Sequence, residues 1–213
     1  MYRRALRSAV AAASCAGAVV LVLAGCSSQP AQPMATLGGS PAGTGAGVAV
    51  TVAPPTVGAT LPPDFKVDFT LTVTGTPTQV QLLTQAKALI LAYEQAVERN
   101  DPKDPLYQGM VTGLGATNLA ASITSYKTAK ERPTGTLVFY QFTTKVNTVA
   151  ADVLFCENRA QVTMANFKTG AAMTNPDTGK QHWDIGFDHE SDGTWKIAYV
   201  SALTVTAGSS QCT

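Results

Sequence analysis

His182, Asp184 and Asp188 recur at even spacing, so in an extended chain all three project from one face. An imidazole and two carboxylates so placed are the groups of an acid–base set or of a metal site. The opposite face of that stretch carries Trp183, Ile185 and Phe187, which are the better core candidates. The ionisable set is therefore expected on the solvated side. His189 falls with the apolar residues beside a turn, where a histidine more often closes an edge than acts on a substrate. Tyr93, Tyr126, Tyr140 and Tyr199 are the hydroxyls available to a pocket, although aromatics at such spacing usually belong to a core. Tighter signatures are missing. There is no Gly-x-Ser-x-Gly elbow, and Gly113-Leu114-Gly115 lacks the further glycine and the preceding strand of a dinucleotide loop. No Cys-x-x-Cys or Cys–His cluster proposes a metal. No residue is thereby expected as catalytic, as a metal ligand or as a cofactor contact; Tyr93, Tyr126, Tyr140, His182, Asp184 and Asp188 are the pocket candidates.

The elements that would position them follow from periodicity. Phe65, Val67, Phe69, Leu71 and Val73 alternate with polar residues, as in a strand. Thr76-Pro77 opens a helix in which Val80, Leu83, Ala86, Ile90, Tyr93 and Val97 share a face, and Asn100-Asp101-Pro102 ends it. Leu106-Tyr107 and Met110-Val111 belong to a less regular stretch apolar enough to pack. Residues 116–130 read as a second helix with Leu119, Ile123 and Tyr126 inward, ended by Pro133 and Gly135. Segments 136–146, 152–156, 160–167, 181–189 and 194–204 are rich in Val, Phe, Thr and Tyr, with turns at 175–179 and at Ser191-Asp192-Gly193. Helices first and an antiparallel meander after them make an α+β layout, in which the helices cover one face of the sheet.

The N-terminal segment specifies location. Met1 to Arg7 carries three positive charges, and Ser8 to Gly25 carries none, with an apolar run from Ala16 to Ala24. This is the arrangement of a bacterial export signal, and the run is too rich in small residues for a spanning helix. Leu23-Ala24-Gly25-Cys26 is similar to the lipobox of bacterial lipoproteins. That resemblance implies a signal at residues 1–25, acylation and cleavage at Cys26, and anchoring to membrane lipid on the extracytoplasmic face. Two or three acyl chains hold durably where one does not. Arg3-Arg4 raises a twin-arginine route, but the residues around the pair fit it poorly. Residues 27–63 contain no Lys, Arg, Asp, Glu or aromatic residue and seven prolines, so residues 26–64 read as a lipidated cysteine and its tether. As a flexible coil the tether would span roughly 35 Å. Gly47 to Ala53 has the composition of a short strand within it.

Residues 65–213 then form one exported domain. Three of the 15 basic residues and none of the 14 acidic ones precede Cys26, leaving the mature chain at about −2, which argues against nucleic acid as a partner. With Cys15 removed and Cys26 acylated, Cys156 and Cys212 remain, and in an oxidising compartment they most simply pair.

The helical first half, the long meander, Asp152-Val153-Leu154-Phe155-Cys156 and the turn-plus-tryptophan run Asp192-Gly193-Thr194-Trp195-Lys196-Ile197 together resemble the nuclear transport factor two-like cone fold. The resemblance spans residues 78–205 and is nearest to small secreted or lipid-anchored actinobacterial members. It implies a strongly bent antiparallel sheet that wraps the helices, with an open end for a ligand. Some members are isomerases or dehydratases that place an Asp, or a His–Asp pair, beside a tyrosine in the cone. The expected function is a non-enzymatic binding module for an envelope protein or a small apolar ligand; the alternative is a small-molecule isomerase or dehydratase.

Overall fold

The computed structural model describes residues 57–71, 75–174, 179–205 and 212. The export signal, Cys26, the strand expected at residues 47–53 and the turn at 175–178 lie outside them. The elements run β1 (Phe65–Phe69), α1 (Pro77–Glu98), α2 (Pro105–Gln108), α3 (Gly113–Ala129), β2 (Glu131–Val146), β3 (Ala150–Asn166), β4 (Ala172–Met173), β5 (Lys180–His189) and β6 (Trp195–Thr204).

α1 begins with a full capping box. The Thr76 side chain accepts from Gln79 N–H while the Gln79 amide oxygen accepts from Thr76 N–H, and Pro77 occupies the first turn. Leu83, Ala86, Ile90, Tyr93 and Val97 are buried as expected, but so are Glu94, Gln95 and Glu98. The helix lies inside the sheet's concavity with α2 and α3 beside it, which leaves it little face for water. Asn100, in the left-handed region at φ 51°, breaks it. The stretch after α1 supplies α2, capped by Asp104, and a short parallel bridge from Val111 to Ile197. α3 starts at Gly113, earlier than expected. A Cβ on Gly115 would stand 2.6 Å from Val111 Cγ2, so a side chain there would have to displace Val111, which bridges to Ile197 of β6.

The sheet runs β1-β2-β3-β5-β6, with β4 paired to β3. All pairings are antiparallel except β1 with β2, which is parallel. A wholly antiparallel sheet is thus corrected to a mixed one. The three helices between β1 and β2 are a crossover long enough to return the chain in the same direction.

Two other boundaries move for physical reasons. Pro133 and Gly135 do not end α3; Lys130 does, at φ 58°, and both residues lie in β2. β1 pairs only from Gly135 onward, so Pro133 sits where β2 has an open edge and no N–H is missed. Gly135, at φ 89°, would place a Cβ 2.2 Å from Gln161 O, and it adjoins a register shift between Thr136 and Val138. That bulge bends the sheet. β3 is one strand of 17 residues where the sequence suggested two. Glu157, Asn158 and Arg159 look like a break, yet the ladder continues through them.

The closed end of the cone is filled by aromatic rings. Phe139 packs on Phe155 and Trp183 at 5.6 and 6.4 Å, Phe155 stacks on Trp183 at 5.9 Å, and Phe69 and Phe142 complete the set. The end of the expected tether belongs to this body. Thr60 N–H donates to Gln95 Oε1 at 2.7 Å, Leu61 packs on the core, and Asp64 pairs with Arg132 at 2.6 Å. On the sheet's outer face Cys156 and Cys212 form a disulfide. The Cys212 carbonyl accepts from Lys180 Nζ at 2.7 Å and from Tyr140 at 3.2 Å.

Candidate functional site

An open cavity of about 640 Å³ lies between α1, α3 and the inner faces of β2, β3, β5 and β6. Strand alternation decides what reaches it. Phe155, Glu157 and Arg159 follow one another at every second residue of β3; Phe155 goes to the core, while Glu157 and Arg159 line the cavity with Trp183 of β5, which stands opposite Phe155 in the ladder. α1 delivers Tyr93 and Glu94, and α3 delivers Leu119, Ser122 and Tyr126. Leu137, Val162 and Met164 supply apolar wall.

Of the sequence candidates, Tyr93, Tyr126 and Tyr199 line this cavity. Tyr140, His182, Asp184 and Asp188 do not, and the pocket assignment is corrected for these four. Tyr140 is paired with Cys156 across the ladder and turns outward to the Cys212 carbonyl. His182, Asp184 and Asp188 alternate with buried Trp183, Ile185 and Phe187 and so face away from the helices. Burial, and then the neighbouring Asp152, raise the Asp184 carboxyl above its ordinary range. His189 stacks on Trp195 at 4.3 Å at the sheet edge.

The residues that sequence reasoning missed are Glu94, Glu157 and Arg159. Trp183 Nε1 donates to one Glu157 oxygen, and Arg159 Nη1 lies 3.5 Å from the other. Arg159 Nη2 donates to the Tyr126 hydroxyl at 2.8 Å, and the Tyr93 hydroxyl pairs with Ser122 Oγ at 2.7 Å. Burial and then the nearby Glu157 push the Glu94 carboxyl well above the usual carboxylate range, with Arg159 opposing in part. Burial raises both tyrosines, keeping their hydroxyls neutral. For Arg159 burial alone would lower the pKa, but Tyr126, Glu157 and Glu94 outweigh it and hold the guanidinium charged. The site thus combines one balanced ion pair with neutral hydrogen-bonding groups. The available signal was the spacing of Phe155, Glu157 and Arg159, which continues the inward face of β3.

No family model and no curated protein sequence matches this chain. Among solved structures it is similar to a nuclear transport factor two-like superfamily protein from Salmonella enterica, at 14% identity and TM-score 0.42, covering 65% of this chain and 99% of that one. A Mycobacterium tuberculosis protein of unknown function aligns at 16% identity and TM-score 0.41, covering 61% and 76%. A ketosteroid isomerase-like protein from Erwinia carotovora aligns at 16% and TM-score 0.37, covering 56% and 93%. At these values no activity or ligand passes from them to this chain. The α+β architecture with helices in a bent sheet stands on the coordinates themselves. No helix among the described residues is long and apolar enough to cross a membrane.

Proposed function

We propose that this chain is a lipid-anchored module of the extracytoplasmic membrane face that binds a small ligand in its cone. One observation carries the ligand part. The cavity of about 640 Å³ stays open although buried Glu94 and Glu157 and half-buried Arg159 stand among Leu119, Leu137, Val162 and Met164 in its wall. Empty space forfeits packing contacts and a buried ion pair costs desolvation, so a purely structural domain gains by filling such a volume. The anchor is supported by Leu23-Ala24-Gly25-Cys26 and by the uncharged residues that follow.

Cys26→Ser should abolish acyl labelling and release the chain from membranes; labelling that persists refutes the anchor. The full chain extracted in detergent should carry a small molecule visible by native mass spectrometry. Ser122→Trp, which sets a large ring into the cavity, should exclude that molecule. A chain that is empty, or equally occupied in both proteins, overturns the ligand reading.

Glu94, its carboxyl raised by burial, lines the cavity with Tyr93 and Tyr126 and favours a second reading, acid–base turnover of the isomerase or dehydratase kind. That reading requires exchange of ligand C–H hydrogens in deuterated water, lost in Glu94→Gln. A ligand recovered without exchange leaves binding alone.

A further inference from the structure

We propose that the corner where α3 ends and β3 turns toward β4, carrying Lys127, Lys130, Phe167 and Lys168, docks on an anionic phospholipid surface. This rests on the anchor reading above and adds a second contact with the bilayer, made by the folded domain itself.

Backbone geometry brings these residues together. Lys130 ends α3 in the left-handed region and its N–H donates to the Lys127 carbonyl at 3.2 Å, so both lysines belong to one helix end. The Lys130 carbonyl accepts from Phe167 N–H at 2.9 Å, which sets the turn after β3 against that end. Within the turn the Asn166 side chain accepts from the N–H groups of Lys168 and Thr169, and Gly170, at φ 68°, carries the chain toward β4. Lys127, Lys130, Phe167 and Lys168 are all exposed. No ion pair among the described residues uses these lysines. Glu131 is the acidic neighbour in sequence, and Arg132 is held by Asp64 and Glu98. An exposed ring among ammonium groups matches an interface where phosphates lie above acyl carbon.

Charge and chain entry single out this end of the domain. β3 runs from Ala150 to Asn166, roughly 50 Å of extended chain. Its other end gathers Asp152, Asp184, Asp188, Glu190 and Asp192 against Lys145 and Lys196. An anionic surface therefore attracts the lysine end and repels the opposite one. The chain arriving from Cys26 also joins the domain at the lysine end. Asp64 pairs with Arg132, and its carbonyl accepts from Gly135 N–H at 2.8 Å. Residues 27–56 as a flexible coil span roughly 30 Å, less than the length of β3, so the anchor keeps this corner near the bilayer. Such confinement raises the effective concentration of a contact that is weak by itself.

The acylated full chain, reconstituted in phosphatidylglycerol or phosphatidylcholine vesicles with brominated acyl chains, tests this through one added tryptophan. In Phe167→Trp the emission gained over the parent, which holds Trp183 and Trp195, should be quenched in phosphatidylglycerol and not in phosphatidylcholine. Raising salt from about 0.1 to about 1 M shortens the screening length from about 10 to about 3 Å and should relieve the quenching. Lys127→Gln, Lys130→Asn and Lys168→Gln together should weaken docking on the order of 100-fold, at roughly 5-fold per lysine. Asparagine replaces Lys130 because it accepts the left-handed conformation. Val149→Trp, exposed beside His189 at the acidic end, should stay unquenched in both lipids. No quenching of Phe167→Trp in phosphatidylglycerol overturns the docking, and equal quenching in phosphatidylcholine overturns the anionic requirement. Quenching of Val149→Trp instead puts the opposite end on the bilayer and overturns the assignment of the corner. Acyl labelling at Cys26 is read on the same samples. A labelled chain giving any of these results fails the present inference alone, whereas an unlabelled chain fails the anchor reading on which it rests.

Discussion

The two faces of β3 and β5 carry similar ionisable residues and use them in opposite ways. Outward, Asp152, His182, Asp184 and Asp188 stand on a face that the helices do not cover, and Asp188 is exposed. Inward, Glu157 is buried and Arg159 half-buried, and they are joined to each other and tied to Trp183 and Tyr126. The difference lies in what faces each side chain. Water solvates the exposed Asp188 at little cost, whereas a buried charge such as Glu157 persists only with a partner. Residue type and spacing mark both faces as chemically capable; enclosure makes only the inner one a site.

That contrast can be broken most strongly from the inside. Arg159→Met leaves Glu157 buried without its cation and should destabilise the fold by about 3–5 kcal/mol, read from urea unfolding. The double change Arg159→Met with Glu157→Gln should recover much of this. A single variant as stable as the parent would mean that the inner pair is no more committed than the outer groups. The outer face has one strong device, the disulfide. Replacing Cys156 and Cys212 together by alanine should cost about 2–4 kcal/mol, because the bridge closes a loop spanning a sequence separation of 56 residues. Unchanged stability would show that the C-terminal segment docks without it.

A smaller and pH-dependent effect belongs to Glu98, one turn beyond Glu94. Burial first, partly opposed by Arg132, raises its carboxyl from the ordinary value to about 7. Its folded pKa therefore exceeds the unfolded one, so the native state binds more protons between about pH 4.5 and 7. The contribution is complete below that window and is lost as pH rises through it. The melting temperature should fall across this range, and Glu98→Gln should flatten the slope; an unchanged slope assigns it to other groups, Glu94 first. Asp188→Asn, on the outer face, should shift stability by no more than about 0.5 kcal/mol. A larger loss would show that the outer face is not merely solvated.

Much of the fold was legible. The helix opening at Thr76-Pro77, the α1 stripe of Leu83, Ala86, Ile90, Tyr93 and Val97, and the alternation that buries Trp183, Ile185 and Phe187 are all local patterns. The site was mostly hidden. Glu94 adjoins Tyr93 on a helix that reads as amphipathic, and only its enclosure by the sheet and by α3 makes that polar position interior. Glu157 and Arg159 read as the end of a strand because charge rarely enters a core. Each is admitted here by a partner distant in sequence, Trp183 for one and Tyr126 for the other.

Sequence alone determined the helix-before-strand order, the pairing of Cys156 with Cys212, and the face of β5 that turns inward. These depend on periodicity and on which groups remain available, both properties of the chain itself. Tertiary structure alone decided that β1 joins the sheet in parallel, that residues 131–135 are strand, and that Glu94, Glu157 and Arg159 share a cavity. Those outcomes turn on which segments meet across long separations, and burial changes the protonation and the partners of a side chain only after they have met.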